Sequence, residues 1–263
     1  MCGLFGAWGW SQQLDTAAAL EALKSRGPDD QGEFHDPCGL TLLHTRLAIQ
    51  DLSPLGHQPM QTSDQRLVLV FNGEIYNQQQ LRRELEAAGY TFRSQSDTEV
   101  LLHGFRHWGQ KLWQRLEGIF AVACWEPRDR RLTLARDRFG VKPLLWQREP
   151  QRLAFGSELS ALIASGCCNK EAINPQAIES YLLWGSVAAP NTIIDDVEVF
   201  PAGHWASCQL GQSWQQQRFS PEQPPAQRSD LNLSKATEKT RLALQQAVHR
   251  QSIGDRPVGL FLS

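Results

Sequence analysis

Short apolar runs joined by tight turns dominate this sequence, and helical segments interrupt them in pairs. The first run, residues 3–8, mixes Gly with Leu, Phe, Ala and Trp, as a buried strand does where backbones approach closely. Further strands are predicted at 31–35, 40–44, 67–71, 119–125, 132–136, 144–147 and 153–157. Because strands and helices do not alternate regularly, the pattern predicts an α+β fold with antiparallel sheets.

Capping residues and apolar positions three or four residues apart mark the helices. The predicted helices cover 15–24, 77–88 and 96–108, and two shorter ones begin at Glu158 and Pro175. The strand at 67–71 is predicted to stop at Asn72-Gly73-Glu74, because Asn-Gly is a common turn dipeptide.

Composition divides the chain into three parts. Residues 1–208 form the first predicted domain, and residues 209–230, rich in Gln, Pro and Ser, are predicted to be a linker. The last part, 231–263, begins with a helix whose apolar face includes Leu233 and Val248. The apolar run at 257–262 that follows is typical of a buried parallel strand.

Charge and composition exclude several functional classes. The formal net charge is −2, which offers no electrostatic footprint for nucleic acid or an anionic membrane. No apolar run approaches the ~20 residues that span a bilayer, and no basic leader precedes an apolar segment. The six cysteines show no CxxC pair and no regular spacing, which favours reduced thiols in the cytoplasm over disulfides or a metal site.

Cys2 follows the start methionine directly, which is an unusual place for a thiol. Its small side chain is compatible with removal of Met1, which would leave a nucleophilic sulfur and a free α-amine on one residue. An α-amine titrates near pKa ~8 and a thiol near ~8.5, so the amine can accept the thiol proton without a histidine. The alternative is that Cys2 is simply a small apolar residue, the common fate of a free cysteine.

Three further polar clusters suit the cleavage of an amide in a free amino acid. Asn72 and the unhindered Gly73 backbone supply two donors for an oxyanion. Arg46 can bind an α-carboxylate, and Asp97 can accept an α-ammonium. Each also has a simpler interpretation: Arg46 as a surface ion pair, Asn72-Gly73 as a turn, and Asp97 as a helix cap.

Together these clusters resemble a known family. The chain is similar to class II glutamine amidotransferases, and most similar to the glutamine-hydrolysing asparagine synthetase family, over essentially all of residues 1–208. The shared motifs occur in the family's order: Met-Cys-Gly-Leu-Phe-Gly at 1–6, Arg-Gly-Pro-Asp at 26–29, His-Thr-Arg-Leu-Ala-Ile at 44–49, Phe-Asn-Gly-Glu-Ile-Tyr at 71–76, Ser-Asp-Thr-Glu at 96–99, Arg-Asp-Arg-Phe-Gly-Val-Lys-Pro at 136–143 and Gly-Ser-Glu at 156–158.

The resemblance implies a fold and a reaction. The implied fold is the N-terminal-nucleophile αββα sandwich of two antiparallel sheets. The implied nucleophile is Cys2, which forms a glutamyl thioester and releases ammonia, with Asn72 and Gly73 as the oxyanion hole. Arg26 is implied to order the site without touching the chemistry. The residues implied to hold glutamine are Arg46, the backbone around Leu47, Ile49 and Gln50, and Asn72, Gly73, Glu74 and Asp97.

One position departs from the family pattern. An aliphatic residue is expected where Gln50 stands. Because the implied contact there is through the backbone, we expect the Gln50 side chain to point away from the substrate.

The end of the sequence resembles the beginning of a second catalytic domain. Residues 255–263 look like the strand that leads into the ATP-pyrophosphatase loop of the family, where a Gly-Gly-x-Asp-Ser stretch should follow. The sequence has no phosphate-cradling loop, so we expect a fragment whose intact part is the glutaminase domain, with no cofactor or metal of its own. ATP, Mg²⁺ and aspartate are implied only for the full enzyme, with Phe261 and Ser263 beside the nucleotide. A homodimer is the candidate assembly.

Two other functions are compatible with parts of this pattern. One is a different class II amidotransferase, against which the stretch at 136–143 and the closing run at 258–263 argue. The other is a non-catalytic binding or dimerisation domain of the same fold. Such a domain could dispense with the nucleophile, whereas Cys2, Arg46, Asn72 and Asp97 are all present.

Overall fold

Two antiparallel six-stranded sheets pack face to face and carry helices on their outer faces. The computed structural model describes residues 1–10, 14–221, 232–252, 254–257 and 259. In chain order the strands are β1 (Gly3–Trp8), β2 (Asp30–His35), β3 (Leu40–Arg46), β4 (Met60–Gln61), β5 (Val68–Ile75), β6 (Gly118–Glu126), β7 (Arg131–Arg136), β8 (Leu145–Glu149), β9 (Arg152–Gly156), β10 (Glu198–Val199), β11 (His204–Gln209) and β12 (Gln215–Arg218).

Six α-helices complete the described structure. They are α1 (Thr16–Leu23), α2 (Gln78–Ala87), α3 (Asp97–Trp108), α4 (Leu159–Ala164), α5 (Pro175–Trp184) and α6 (Leu233–Gln251). Short 3-10 turns lie at Pro54–Gly56 and Gly109–Gln114. No helix in these parts of the chain is long and apolar enough to cross a membrane.

Three hydrophobic layers hold the sheets and helices together. The first sheet has the strand order β10-β8-β9-β1-β3-β2, and the second has the order β12-β11-β7-β6-β5-β4. One apolar layer fills the space between the sheets, a second lies under α2 and α3, and a third lies under α1 and α4. The predicted αββα sandwich of two antiparallel sheets is confirmed.

Strand β1 is interior to the first sheet and apolar on both of its faces. Leu4 points into the layer between the sheets, whereas Phe5 points toward α1 and α4. Gly6 is required here, because a Cβ would lie 2.2 Å from the Phe155 ring. Gly3 pairs with Thr45, so the beginning of β1 meets the end of β3. This pairing brings Cys2 close to Arg46.

The prediction that the strand at 67–71 ends at residue 71 is wrong. Strand β5 continues through Asn72-Gly73-Glu74 to Ile75, because β6 pairs with it along its full length. Gly73 has no room for a side chain, since a Cβ would lie 2.2 Å from the Ile119 carbonyl oxygen. The Asn-Gly dipeptide therefore serves close strand packing in this chain and not a turn.

The predicted linker at 209–230 contains a strand. Residues 215–218 form β12, an exposed edge strand paired with β11, and Phe219 stacks on Phe120 at 6.1 Å between ring centroids. Trp214 also packs on Trp146, at 5.6 Å between ring centroids. These two aromatic contacts hold a segment that is otherwise too polar to predict as structured. The three-domain division itself stays a prediction.

The last predicted helix is present as α6, and all of its described residues are exposed or partly exposed. The residues predicted as its apolar face include Leu233, which is 84% exposed, and Val248, which is 65% exposed. The predicted strand at 257–262 lies mostly outside the described residues, as do Phe261 and Ser263.

Candidate active site

One cavity is lined by all nine residues predicted to act on glutamine. They are Cys2, Arg46, Leu47, Ile49, Gln50, Asn72, Gly73, Glu74 and Asp97. The cavity has a volume of about 70 Å³ and is open to solvent. The chain converges here because β1 begins, β3 ends and α3 begins at this edge of the sandwich, and β5 crosses beneath them. His44 on β3 ties the two sheets together, since its Nε2 lies 3.0 Å from the Phe71 carbonyl oxygen.

The Cys2 thiol lies against the loop that follows β3. Its Sγ accepts a hydrogen bond from the Leu47 backbone N–H at 3.4 Å and lies 3.7 Å from the Leu47 carbonyl oxygen. Burial raises the pKa of Cys2, so the resting sulfur is a thiol and needs a base before it can attack.

Arg26 fixes the backbone at Cys2. Its Nε donates to the Cys2 carbonyl oxygen at 2.9 Å, and its guanidinium pairs with Glu158. Asp29, in the same Arg-Gly-Pro-Asp turn, accepts from the Ala48 N–H at 2.8 Å. The turn therefore connects the start of the chain to the loop after β3, in keeping with the ordering role predicted for Arg26.

The amino terminus shares the cavity with a lysine. Burial lowers the pKa of the Met1 ammonium, and the positive charges of Arg26 and Lys142 lower it further. The Lys142 Nζ lies 3.3 Å from the Met1 sulfur. Burial likewise lowers the pKa of Lys142. Arg26 and Lys142 thus place positive charge beside the start of the chain.

Asn72 is buried in the cavity wall with its hydrogen-bonding capacity unused. Its side-chain amide nitrogen and oxygen have no partner among the described residues, although the residue is only 1% exposed. Buried polar atoms are normally paired, and leaving one unpaired costs ~1–3 kcal/mol. The amide N–H groups are therefore available to bind a ligand, and an oxyanion is the ligand that such a donor stabilises best.

Arg46 is buried and organises the loop 47–53. Its Nη1 donates to the Ser53 carbonyl oxygen at 2.9 Å, and its Nη2 donates to the Asp51 carbonyl oxygen and, at 3.5 Å, to that of Gln50. Of the five guanidinium N–H groups, these contacts leave two for a carboxylate. Gly56 makes room for the guanidinium, because a Cβ there would lie 2.1 Å from Nη2.

Two carboxylates, those of Glu74 and Asp97, also line the cavity. Asp97 accepts from the Ile75 N–H at 3.0 Å, and burial raises its pKa to about 7, helped by the charge of Glu74. The N-cap of α3 is Ser96, which accepts from the Thr98 N–H, so capping does not account for Asp97. Asp97 is left as a buried acid beside an empty space, where an ammonium would restore its charge.

The prediction that the Gln50 side chain points away from the substrate is wrong, because Gln50 lines the cavity. Its Nε2 donates to the Glu74 carboxylate at 3.2 Å. An aliphatic side chain at this position could not make that bond, so the polar residue has a local partner. Gln50 thereby connects the loop 47–53 to strand β5.

Seven residues that line the cavity were not predicted to do so, and Lys142 and Gln58 are two of them. Lys142 stands in a motif that was recognised, yet nothing in its spacing shows that the loop returns it to Cys2. Gln58 accepts from the Phe71 N–H at 2.7 Å and donates to the Thr98 hydroxyl at 3.1 Å, which joins β5 to α3. Its position between Gly56 and Pro59 in a loop gave no signal of burial.

Comparison with known proteins gives matches that cover most or all of this chain. A family model described as a glutamine amidotransferase domain matches residues 1–220. Glutamine-hydrolyzing asparagine synthetase 1 of Bacillus subtilis is 35% identical over 271 residues, which cover 100% of this chain and 42% of the relative. Asparagine synthetase 3 of the same organism is 34% identical over 276 residues, which cover 100% of this chain and 43% of the relative. The chain thus spans less than half the length of these relatives.

A solved structure shares the fold. Glutamine phosphoribosylpyrophosphate amidotransferase from B. subtilis matches with a TM-score of 0.61 at 20% identity, covering 83% of this chain and 49% of that one. At this identity the likeness concerns the fold alone. The family model, by contrast, covers most of the chain. The chain therefore belongs to the glutamine amidotransferase domain family.

Proposed function

We propose that this chain hydrolyses L-glutamine to glutamate and ammonia, with Cys2 as the nucleophile once Met1 has been removed. The observation that carries the proposal is the buried, unpartnered amide of Asn72 in the same cavity as the Cys2 thiol. The likeness to glutamine-hydrolysing relatives supports the same substrate.

The proposed reaction proceeds through a thioester. The Cys2 α-amine accepts the thiol proton, and the sulfur attacks the amide carbon of glutamine. Asn72 and the Gly73 N–H stabilise the oxyanion of the tetrahedral intermediate. When the carbon–nitrogen bond breaks, the α-ammonium returns its proton to the leaving nitrogen, and ammonia departs. A water then attacks the thioester with the amine again as base, which frees glutamate and restores the thiol.

Opposite charges orient the substrate for this attack. An N–H of Arg46 that the loop does not use binds the α-carboxylate, and Asp97 with Glu74 binds the α-ammonium. Both anchors are buried, so their interactions are stronger than those of exposed pairs. The side chain of glutamine then extends between them toward Cys2.

Asp97→Asn is expected to raise the KM for glutamine about 10- to 100-fold at pH 8 with little change in kcat. The ammonium loses its counter-charge, and a charge-assisted hydrogen bond is worth roughly 1.5–3 kcal/mol. In the unsubstituted chain, KM should rise as the pH falls below about 7, because Asp97 becomes protonated. Steady-state hydrolysis from pH 6 to 8.5 measures both effects, and a KM that is unchanged in the variant contradicts this role.

The same substitution should stabilise the fold above pH 7. The pKa of Asp97 is raised from 3.8 unfolded to about 7 folded, so the folded chain holds a proton that the unfolded chain has lost. The free energy of unfolding therefore falls as the pH rises from about 4 to 7, and the neutral asparagine avoids that loss. Thermal melts at pH 4 and 8 should show a gain only at pH 8.

Gly56→Ala is expected to raise the KM for glutamine at least about tenfold. The added methyl group would overlap the Arg46 guanidinium and displace it from the α-carboxylate. A double-mutant cycle provides the control, because Gly56→Ala should add nothing in an Arg46→Ala background. An equal further loss in that background would show that Gly56 acts independently of Arg46.

The larger reaction is also a proposal. In a protein of the relatives' length, the released ammonia would amidate aspartate, as the name asparagine synthetase suggests. The use of ATP and Mg²⁺ in that step is implied by the family resemblance alone. Phe261 and Ser263 remain the predicted nucleotide neighbours. A homodimer also stays a prediction. A cytoplasmic location is part of the proposal, supported by six free cysteines and the need for a reduced thiol.

Hydrolysis by the purified chain tests the proposal directly. We expect glutamate and ammonia in equal amounts from glutamine. Glutaramic acid, which lacks the α-amino group, should react poorly because Asp97 has no partner. A chain with its terminus processed to Cys2 that releases no ammonia would exclude the glutaminase function and favour a non-catalytic domain.

A further inference from the structure

The segment after α6 returns to the loop 47–53, the substrate-binding loop, which lies about 200 residues earlier in the sequence. The Asp255 N–H donates to the Ile49 carbonyl oxygen at 2.9 Å, and the Asp255 carboxylate accepts from the Asp51 N–H at 2.8 Å. These two bonds flank Gln50 on both sides. Arg256 adds a longer contact, with its Nε 3.5 Å from the Ala48 carbonyl oxygen.

The bonded stretch of the loop contacts groups at both ends of the proposed substrate. The carbonyl oxygens of Gln50 and Asp51 accept from Arg46, and the Gln50 side chain bonds to Glu74. The Asp51 carboxylate also accepts from the Gln95 N–H at 2.7 Å, two residues before Asp97. A shift of Asp51 would therefore displace both Arg46, which binds the α-carboxylate, and the residues next to Asp97, which binds the α-ammonium.

The backbone of Asp51 needs external support. Its φ of 52° lies in the left-handed region, which L-residues other than glycine adopt at a cost. Its carbonyl oxygen and carboxylate are held from within the domain, by Arg46, Ser53 and Gln95. The N–H of Asp51 is held from outside, by Asp255.

Asp255 is exposed and belongs to no hydrophobic layer. Its removal should therefore leave the sandwich folded. A carboxylate that accepts from a backbone N–H forms a charge-assisted bond, which is stronger than a neutral one. The contact thus has the strength to position a loop without being part of the core.

We propose that Asp255 is a positioning residue for glutamine binding, which acts by fixing the peptide groups on either side of Gln50. The proposal rests on the proposed glutaminase function. It makes the affinity for glutamine dependent on the segment 254–256, outside the sandwich. Displacement of that segment would loosen the loop around Gln50, whereas Asn72 is held within strand β5.

Asp255→Ala tests the proposal. We expect a three- to tenfold rise in the KM for glutamine, with kcat within twofold of the unsubstituted chain. Asp255→Asn keeps an oxygen acceptor and should restore most of the affinity. Asp196→Ala removes an equal charge at an exposed position away from the cavity and serves as the matched control.

Amide hydrogen exchange provides a readout independent of catalysis. The Asp51 amide should exchange faster in Asp255→Ala than in Asp255→Asn or Asp196→Ala, while amides in β1 and β5 stay protected. An unchanged KM in Asp255→Ala, or an equal loss of kcat and affinity that Asp255→Asn does not restore, would overturn the proposal. If the unsubstituted chain is inactive, the glutaminase function fails, and the exchange of the Asp51 amide alone decides whether Asp255 positions the loop.

Discussion

Cys2→Ala is expected to lower glutamine hydrolysis by at least about 10⁴-fold, to the limit of detection, while the fold is retained. The variant keeps the cavity, the oxyanion donors and the substrate anchors, but it has no sulfur to form the thioester. Cys2 is partly buried and its sulfur makes only long contacts with Leu47, at 3.4 and 3.7 Å, so Cys2→Ala removes little that stabilises the fold. Glutamate release and thermal unfolding, measured side by side, check both parts.

The control is another thiol of the same chain. Cys38 is partly buried like Cys2 but does not line the cavity, so Cys38→Ala should keep full activity. Activity that survives in Cys2→Ala, or that disappears in Cys38→Ala, would contradict the assignment of the nucleophile.

Asn72→Ala is expected to lower kcat about 10²- to 10³-fold, with a smaller effect on KM. The loss of one oxyanion donor has this magnitude in other acyl-transfer enzymes, because the donor acts mainly in the transition state. The substitution should also raise the melting temperature, since it removes two buried polar atoms that lack protein partners.

The combination of a slower and a more stable enzyme is what distinguishes this prediction. If Asn72 had only a structural role, the Asn72→Ala variant would lose stability and activity together. Asn77→Ala, on a half-exposed residue at the start of α2, serves as the control, because Asn77 bonds to the backbone of residues 115 and 117 and should cost stability. If Asn72→Ala destabilises the fold or leaves kcat unchanged, Asn72 is not the oxyanion donor.

Much of the fold follows from local signals in the sequence. The apolar runs gave β1, β3, β6, β7 and β9, and the capping residues gave α1, α2 and α3 close to their observed bounds. The error at β5 arose because Asn-Gly forms turns when a chain is considered alone. In the folded chain, β6 approaches so closely that only glycine fits at position 73. The requirement for glycine comes from a partner strand 45 or more residues away, which the local sequence pattern does not reveal.

In the site, too, local motifs were informative and long-range contacts were not predictable. Motifs predicted which residues would meet, whereas the contacts that organise them are non-local. Gln50 departs from the family pattern, and its bond to Glu74 explains why a polar residue is accommodated there. Lys142, Gln58 and Asp255 depend on how loops return to the cavity, and loop paths are set by tertiary packing more than by propensity.

Intact-mass analysis paired with a glutaminase assay tests the central claim most directly. We expect active protein to lack Met1, and a form in which Met1 removal is blocked to be inactive, because its amine is tied up in a peptide bond. An electrophilic glutamine analogue should add once, at Cys2, with activity lost in proportion. Full activity with Met1 attached, or with Cys2 completely modified, would contradict the account.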